Sequence, residues 1–236
     1  MPAPVRSFRY LDGLTTAFVV ILLVSNLLAQ KVVRLGPVTT SGAMVLFPIT
    51  YIFGDVFTEV YGYAASRRAI WLGFFGTALL YAVSALVIAL PADPSWHNQQ
   101  AFITVFGFLP RILAASLVAY WAGEFANSYT MARLKLVTGG RYLWTRTVGS
   151  TVVGQAVDTV LVIFLTFAGR MPAHTLATII WQGYLLKVAY EVLATPLTYL
   201  VVNSLKHAEQ SDPFDNHTSF SPFRFVDPGA PDLSPE

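Results

Sequence analysis

Six stretches of this chain are so apolar that each must lie either at the centre of a large fold or in a bilayer. They run over about 14–29, 40–57, 69–90, 112–126, 148–168 and 176–202. At about 20 apolar residues per bilayer-spanning helix, six spans take roughly half of a 236-residue chain and leave short connections. The charged fraction decides between the two settings. Asp, Glu, Lys and Arg make up 12% of the residues, about half of what a soluble domain carries. Too few polar side chains remain to cover a water-facing surface, so a soluble enzyme, a disordered chain and a nucleic-acid binder are excluded. The net charge of +2 offers no basic surface for a phosphate backbone. The reading is an all-α integral membrane protein with six transmembrane helices.

The connections set its orientation. The N-terminal segment, the second and fourth loops and the tail hold ten Lys and Arg residues, among them Arg67, Arg68, Arg133, Lys135, Arg141 and Arg146. The alternate connections hold three: Lys31, Arg34 and Arg170. The positive-inside bias therefore predicts both termini in the cytoplasm. No cleavable signal is read at the N-terminus, because the apolar segments simply continue. Pro48 and Gly54 in the second span and Pro196 in the sixth predict kinked or broken helices. Residues 1–203 form the transmembrane domain. From residue 204 the chain carries five prolines, six acids and no apolar periodicity, the pattern of a cytoplasmic tail that is partly disordered or laid along the surface.

Ionisable residues inside the spans are the functional signal. Asp55, Glu59, Arg111, Glu124, Asp158, Lys187 and Glu191 would each cost about 3 kcal/mol at mid-bilayer, roughly 20 kcal/mol together if unpaired. They must face an interior lined by protein or water. Asp55 and Glu59 share one helix face at a spacing of four, as do Lys187 and Glu191, and Gln155 and Asp158 share one at three. The topology puts Asp158, Lys187 and Glu191 near mid-depth, and Asp55, Glu59 and Glu124 toward the cytoplasm. Arg111 falls at the outer entrance of its helix, and Asn26 in the outer half of the first span. Lys187 and Glu191 are open to reading as a local ion pair. Asp158 has no basic neighbour on its own helix. Five acids face two bases, so three carboxylates are left to be protonated, to meet water, or to bind a cationic or hydrogen-bond-donating ligand. Gln155 beside Asp158 complements the edge of a guanine-like base, as it would many polar solutes. Tyr51, Trp181 and Tyr184 are able either to stack on a planar ligand or to form the interfacial belt.

Other chemistry finds no foothold. The chain has no cysteine, and its four histidines have no metal-ligand spacing, so neither a metal nor a cofactor is expected. No Gly-x-Ser-x-Gly or His-Glu-x-x-His motif is present, and no enzyme activity is expected.

Four long motifs in order carry a family resemblance: FPITYIFGDVFTEVYGYAASRRAIW, RILAASLVAYWAGEFANSYTMARLK, GRYLWTRTVGSTVVGQAVDTVLV and LLKVAYEVLATPLTYLVVNSLK. Together with DPFD and FSPF in the tail, they resemble the queuosine precursor transporters, within the vitamin-uptake-like membrane transporters. The resemblance implies a multi-pass inner-membrane importer similar to the substrate-binding subunits of energy-coupling-factor vitamin importers, but without the ATPase module. Its substrates would be 7-cyano-7-deazaguanine and the 7-aminomethyl analogue, which feed tRNA queuosine modification, with queuine imported by some members. On this reading Asp158 and Gln155 hold the pyrimidine edge of the deazapurine, the ring stacks on Tyr184 or Phe47, and Lys187, Glu191 and Asn26 complete the site. Asp55, Glu59, Arg111 and Glu124 become candidates for gating or proton coupling. The partners implied are the deazapurine and membrane lipid, with no nucleic acid. The small-residue stretch GFFGTA would serve packing within one chain or in a homodimer. A carrier or substrate-capture subunit for another planar heterocycle or vitamin is the alternative, and a non-transporting scaffold would leave the buried charges unexplained.

Overall fold

The computed structural model describes residues 8–35, 38–107, 110–216 and 218–224. Among these, the chain is helical apart from one small hairpin. Helix α1 (Leu11–Leu28) leads into strands β1 (Val32–Leu35) and β2 (Val38–Ser41), which pair antiparallel with Val32 opposite Ser41. A 3₁₀ turn (Gly42–Val45) then precedes α2 (Phe47–Tyr61) and α3 (Tyr63–Ala89). The short α4 (Gln99–Phe106), α5 (Pro110–Thr138), α6 (Leu143–Phe167) and α7 (Ala173–Glu209) complete the order.

Five stretches are long and apolar enough to cross a bilayer: Leu11–Leu28, Tyr63–Ala89, Gln99–Thr138, Leu143–Phe167 and Ala173–Glu209. The second expected span is corrected. Residues 40–45 belong to the hairpin and the 3₁₀ turn, so α2 keeps 15 residues, about 22 Å at 1.5 Å per residue. That is short of a full hydrocarbon core. Neither Gly54 nor Pro196 breaks a helix: α2 runs through the first and α7 through the second. Since Pro196 lacks an N–H, the Val192 carbonyl has no backbone donor at that turn. Two further corrections concern loops. Arg133 and Lys135 lie on α5, Arg146 on α6 and Lys206 on α7, and the third connection contains α4.

The start of α1 and the end of α7 lie side by side. The backbone N–H groups of Arg9 and Tyr10 donate to the Glu209 carboxylate at 3.0 and 2.8 Å. At this terminal end α2 turns into α3 within one residue, because Gly62 adopts φ +86°, a conformation that favours glycine. The Tyr63 N–H left without a helical partner is received by the Asp215 carboxylate at 3.1 Å, a cap reaching back from 152 residues away. Arg67 donates to the carbonyls of Ser219 and Ser221, and the Trp71 indole to that of Pro222. Residues 211–216 and 218–224 thus strap this end of the bundle.

Outward faces are apolar, the reverse of a soluble bundle. Phe75, Leu79, Val83 and Leu86 form an exposed stripe on α3, and Leu193, Leu197 and Leu200 another on α7. Inside, Phe18, Phe53 and Phe57 interlock at centroid distances of 5.5–6.0 Å. A second cluster joins Tyr63, Ile70, Phe125 and Ala132.

Candidate functional site

Helices α5 and α6 approach so closely that glycine is required at the crossing. A Cβ at Gly154 would lie 2.7 Å from the Asn127 Cβ, and one at Gly123 2.7 Å from the Asp158 Cβ. Small residues that let two backbones meet are the usual device of helix contacts in lipid. Here they fix Asn127 on α5 and Asp158 on α6 against each other.

Beside this crossing lies a cavity of about 120 Å³ walled by α1, α2, α5, α6 and α7, room for several waters or a small polar solute. Thr151, Gln155 and Asp158 reach it from one face of α6, Glu124 and Asn127 from α5, Asp55 and Tyr51 from α2, Phe18 from α1 and Lys187 from α7. Asp55 and Glu124 therefore sit at the same depth as Asp158, not nearer the terminal end as the topology alone suggested. Close contact of α2 with α5 accounts for this, since a Cβ on Gly54 would lie 3.6 Å from Glu124 and 3.7 Å from Asn127.

Lys187 Nζ donates to Asp158 Oδ2 at 2.6 Å, with both side chains about a quarter exposed. The local Lys187–Glu191 pair is thereby corrected: the base crosses from α7 to α6, and Asp158 has the partner that its own helix lacks. Glu191, fully buried, faces Asp55, itself 1% exposed. Apart from the contact between these two carboxyls, neither Glu191 oxygen has a hydrogen-bond partner, nor do Asp55 Oδ2, Asn127 Oδ1 and Gln155 Oε1. All five are acceptors. Lys187 is the one basic side chain among the residues lining the cavity, against Asp55, Glu124 and Asp158.

Glu59 belongs to a different cluster, one turn from Asp55 toward the terminal end. Arg146 holds its carboxylate in a fork, at 3.0 Å from Nε and 2.8 Å from Nη2, and Lys206 and Lys135 close on the same group. Lys135 and Lys206 also share Asp212 of the strap, the latter at 2.8 Å. Burial works against charge on Asp212, but the hydrogen bonds from Lys135 and Lys206 and their charges hold its carboxyl below the usual range. The count of five acids against two bases is corrected accordingly: Arg146, Lys135 and Lys206 enter the bundle because α5, α6 and α7 run further than their apolar stretches. Only the switch from apolar to basic at i, i+3 and i+4 spacing could have signalled it.

The remaining candidates lie apart. Arg111 is exposed and donates to the carbonyls of Leu165 and Ala168 at 2.7 Å each, tying α5 to the end of α6. Asn26 is half-buried on α1, and neither it nor Tyr184 lines the cavity. Tyr184 packs against the exposed Trp181, with ring centroids 6.2 Å apart. The side chain of Phe47 lies outside the described residues. Tyr51, a stacking candidate from the sequence, lines the cavity, as do Asn127, three residues after Glu124, and Phe18, which no polar signal marks.

A bundle with apolar outer faces, five membrane-length helices and an acidic internal cavity defines a multi-pass membrane protein with a polar cavity between its helices. Residues 41–201 match the family described as "Putative vitamin uptake transporter". The chain is 32% identical over 188 residues to a "Probable queuosine precursor transporter" of Bacillus subtilis (strain 168), covering 79% of this chain and 82% of the relative. It is 27% identical over 197 residues to the "Queuosine precursor transporter" of Escherichia coli (strain K12), covering 83% and 85%. No solved structure matches it. This chain belongs to the queuosine precursor transporter family.

Proposed function

We propose that this protein imports queuosine precursors, 7-cyano-7-deazaguanine and 7-aminomethyl-7-deazaguanine, across the bacterial inner membrane for tRNA modification. The reading rests on one observation: a cavity between helices whose buried unpartnered atoms are all acceptors, beside a Lys–Asp couple. A guanine-like edge offers N–H donors next to a carbonyl. Asp158 and Gln155 accept from those donors and Lys187 faces the carbonyl, which are complementary roles for the pair already in contact. The names of the relatives support the same substrate class. A site that hydrogen-bonds the base rejects analogues lacking those groups, because its own buried polar atoms would be left unpaired.

Both termini are cytoplasmic in this proposal, since the end where α1 begins and α7 finishes carries Arg67, Arg133, Lys135, Arg146 and Lys206. Residues 1–203 are the transmembrane domain and the rest its cytoplasmic tail. The Glu59 cluster then lies between the cavity and the cytoplasm and opens to release substrate. Carboxylates in excess of bases couple uptake to a proton. The family works without an ATPase module.

Binding of 7-cyano-7-deazaguanine to detergent-purified protein, wild type beside Asp158→Asn, tests the site. Saturable binding lost in the variant supports it, and no binding by folded wild-type protein at high micromolar ligand overturns the substrate assignment. The family description favours a second reading, a vitamin-like planar heterocycle, which competition binding separates from the first. Uptake into liposomes that ignores an imposed proton gradient removes the coupling.

A further inference from the structure

The wall of the cavity opposite Asp158 and Lys187 has no task in base recognition. Asp55 on α2 lines it, and Glu191 on α7, itself outside the lining, meets Asp55; the two are 1% and 0% exposed. Glu124 and Asn127 come from α5, within van der Waals reach of the Gly54 position next to Asp55. No described cation forms an ion pair with this group: Lys187 is bound to Asp158, and the three basic residues of the Glu59 cluster hold Glu59 and Asp212. Two buried carboxylates in contact do not both stay charged without a cation or a proton between them.

The unpartnered atoms say which is the better fit. A shared proton serves the Asp55–Glu191 contact and leaves Asn127 Oδ1 without a donor, along with the second oxygen of Glu191. A primary ammonium carries three donors and a full charge in one compact group. Such a group is protonated at neutral pH, since an unperturbed alkylamine titrates near 10.4. No set of described residues has the make-up of a metal site.

We propose that Asp55 and Glu191, with Glu124 and Asn127 beside them, form a subsite for a primary ammonium on the substrate. The inference rests on the deazapurine reading above and sharpens it. It assigns the α6–α7 wall to the base edge and the α2–α5–α7 wall to the side arm, so the aminomethyl precursor is preferred over the cyano one, whose nitrile carries no charge and no donor.

Calorimetric titration of purified protein with each precursor, in sodium-free and sodium-containing buffer, tests this. Wild-type protein should bind the aminomethyl compound at least about 10-fold more tightly than the cyano compound, the ratio expected for hydrogen bonds to a charged group. Asp55→Asn and Glu191→Gln, both near-isosteric, should each weaken aminomethyl binding about 10- to 100-fold and leave cyano binding within about two-fold. Equal wild-type affinities, or a parallel loss of both ligands in the variants, overturns the subsite but keeps the transporter reading. Aminomethyl binding that requires sodium gives the carboxylates to a metal ion and also overturns it. If neither compound binds to protein that melts cooperatively, the deazapurine reading itself fails. A variant that does not fold is replaced by Asn127→Leu, which should lower aminomethyl affinity alone.

Discussion

Lys187 on α7 donates to Asp158 on α6 at 2.6 Å, and this pair ties the last two helices together at the level of the cavity. Each group lies in the field of the other and is only about a quarter exposed, so removing one leaves the second without its partner. Lys187→Met or Asp158→Asn alone should lower stability by about 1.5–3 kcal/mol, the range for a hydrogen bond to a charged group. The double variant should lose less than the sum. Thermal melts of the three proteins in one detergent check the cycle, and strict additivity would show that the pair is not coupled.

Glu59 is the more demanding case. It has no exposure and anchors Arg146, Lys135 and Lys206, of which the first two are buried. Glu59→Gln leaves the buried Arg146 without a carboxylate and the two lysines with Asp212 alone, and should cost about 3–5 kcal/mol, enough to remove most folded protein from the membrane fraction. The yield of monodisperse protein after solubilisation measures it, and an unchanged yield would mean that Asp212 and the Arg141 carbonyl suffice for these bases.

The glycine crossing makes a steric prediction. Gly154→Ala puts a methyl group 2.7 Å from the Asn127 Cβ and 3.0 Å from the Gly123 carbonyl oxygen. The two helices must part by some tenths of an ångström, at about 1–3 kcal/mol for an overpacked contact. The same movement displaces Asn127, Gln155 and Asp158, so ligand affinity should fall along with the melting temperature. By contrast, Gly139→Ala meets no atom within 4 Å. It carries only the strain of its φ of +57° and should leave affinity unchanged.

The strap should respond to acid. The carboxyl of Asp212 is held below its ordinary range by Lys135 and Lys206, so its contribution is complete above the ordinary value and fades as pH falls through the lowered one. With an unperturbed Asp near 3.9, the contact should persist at neutral and mildly acidic pH and weaken below about pH 4. The Trp71 indole, bonded to the Pro222 carbonyl and packed at a tilt against the Phe223 ring, reports release through its fluorescence. Asp212→Asn should show the released signal at neutral pH. A transition unaltered by that substitution would place the acid response elsewhere.

Much of this was legible in the chain. The apolar runs locate the five membrane-length helices, because hydropathy over some 20 residues is a local property, but α3, α5, α6 and α7 run past those stretches. Charges buried in such runs must turn inward, and Asp55, Glu124, Asp158 and Lys187 do meet in one cavity. The reading fell short where partners are chosen across the fold. Lys187 stands four residues before Glu191 yet bonds to a residue 29 positions away. Likewise, the bases that hold Glu59 sit 76, 87 and 147 residues from it.

Composition and order alone therefore determined a membrane-embedded helical chain with an acidic interior, since insertion is decided segment by segment on hydrophobicity. Only the tertiary structure decided which acid meets which base, and that the segment after α7 folds back to cap α3 through Asp215 and Tyr63. Pairing depends on how closely α5 and α6 approach at Gly123 and Gly154 and on where the ends of long helices converge. Those distances arise from packing between segments remote in sequence, and no local pattern of residues encodes them.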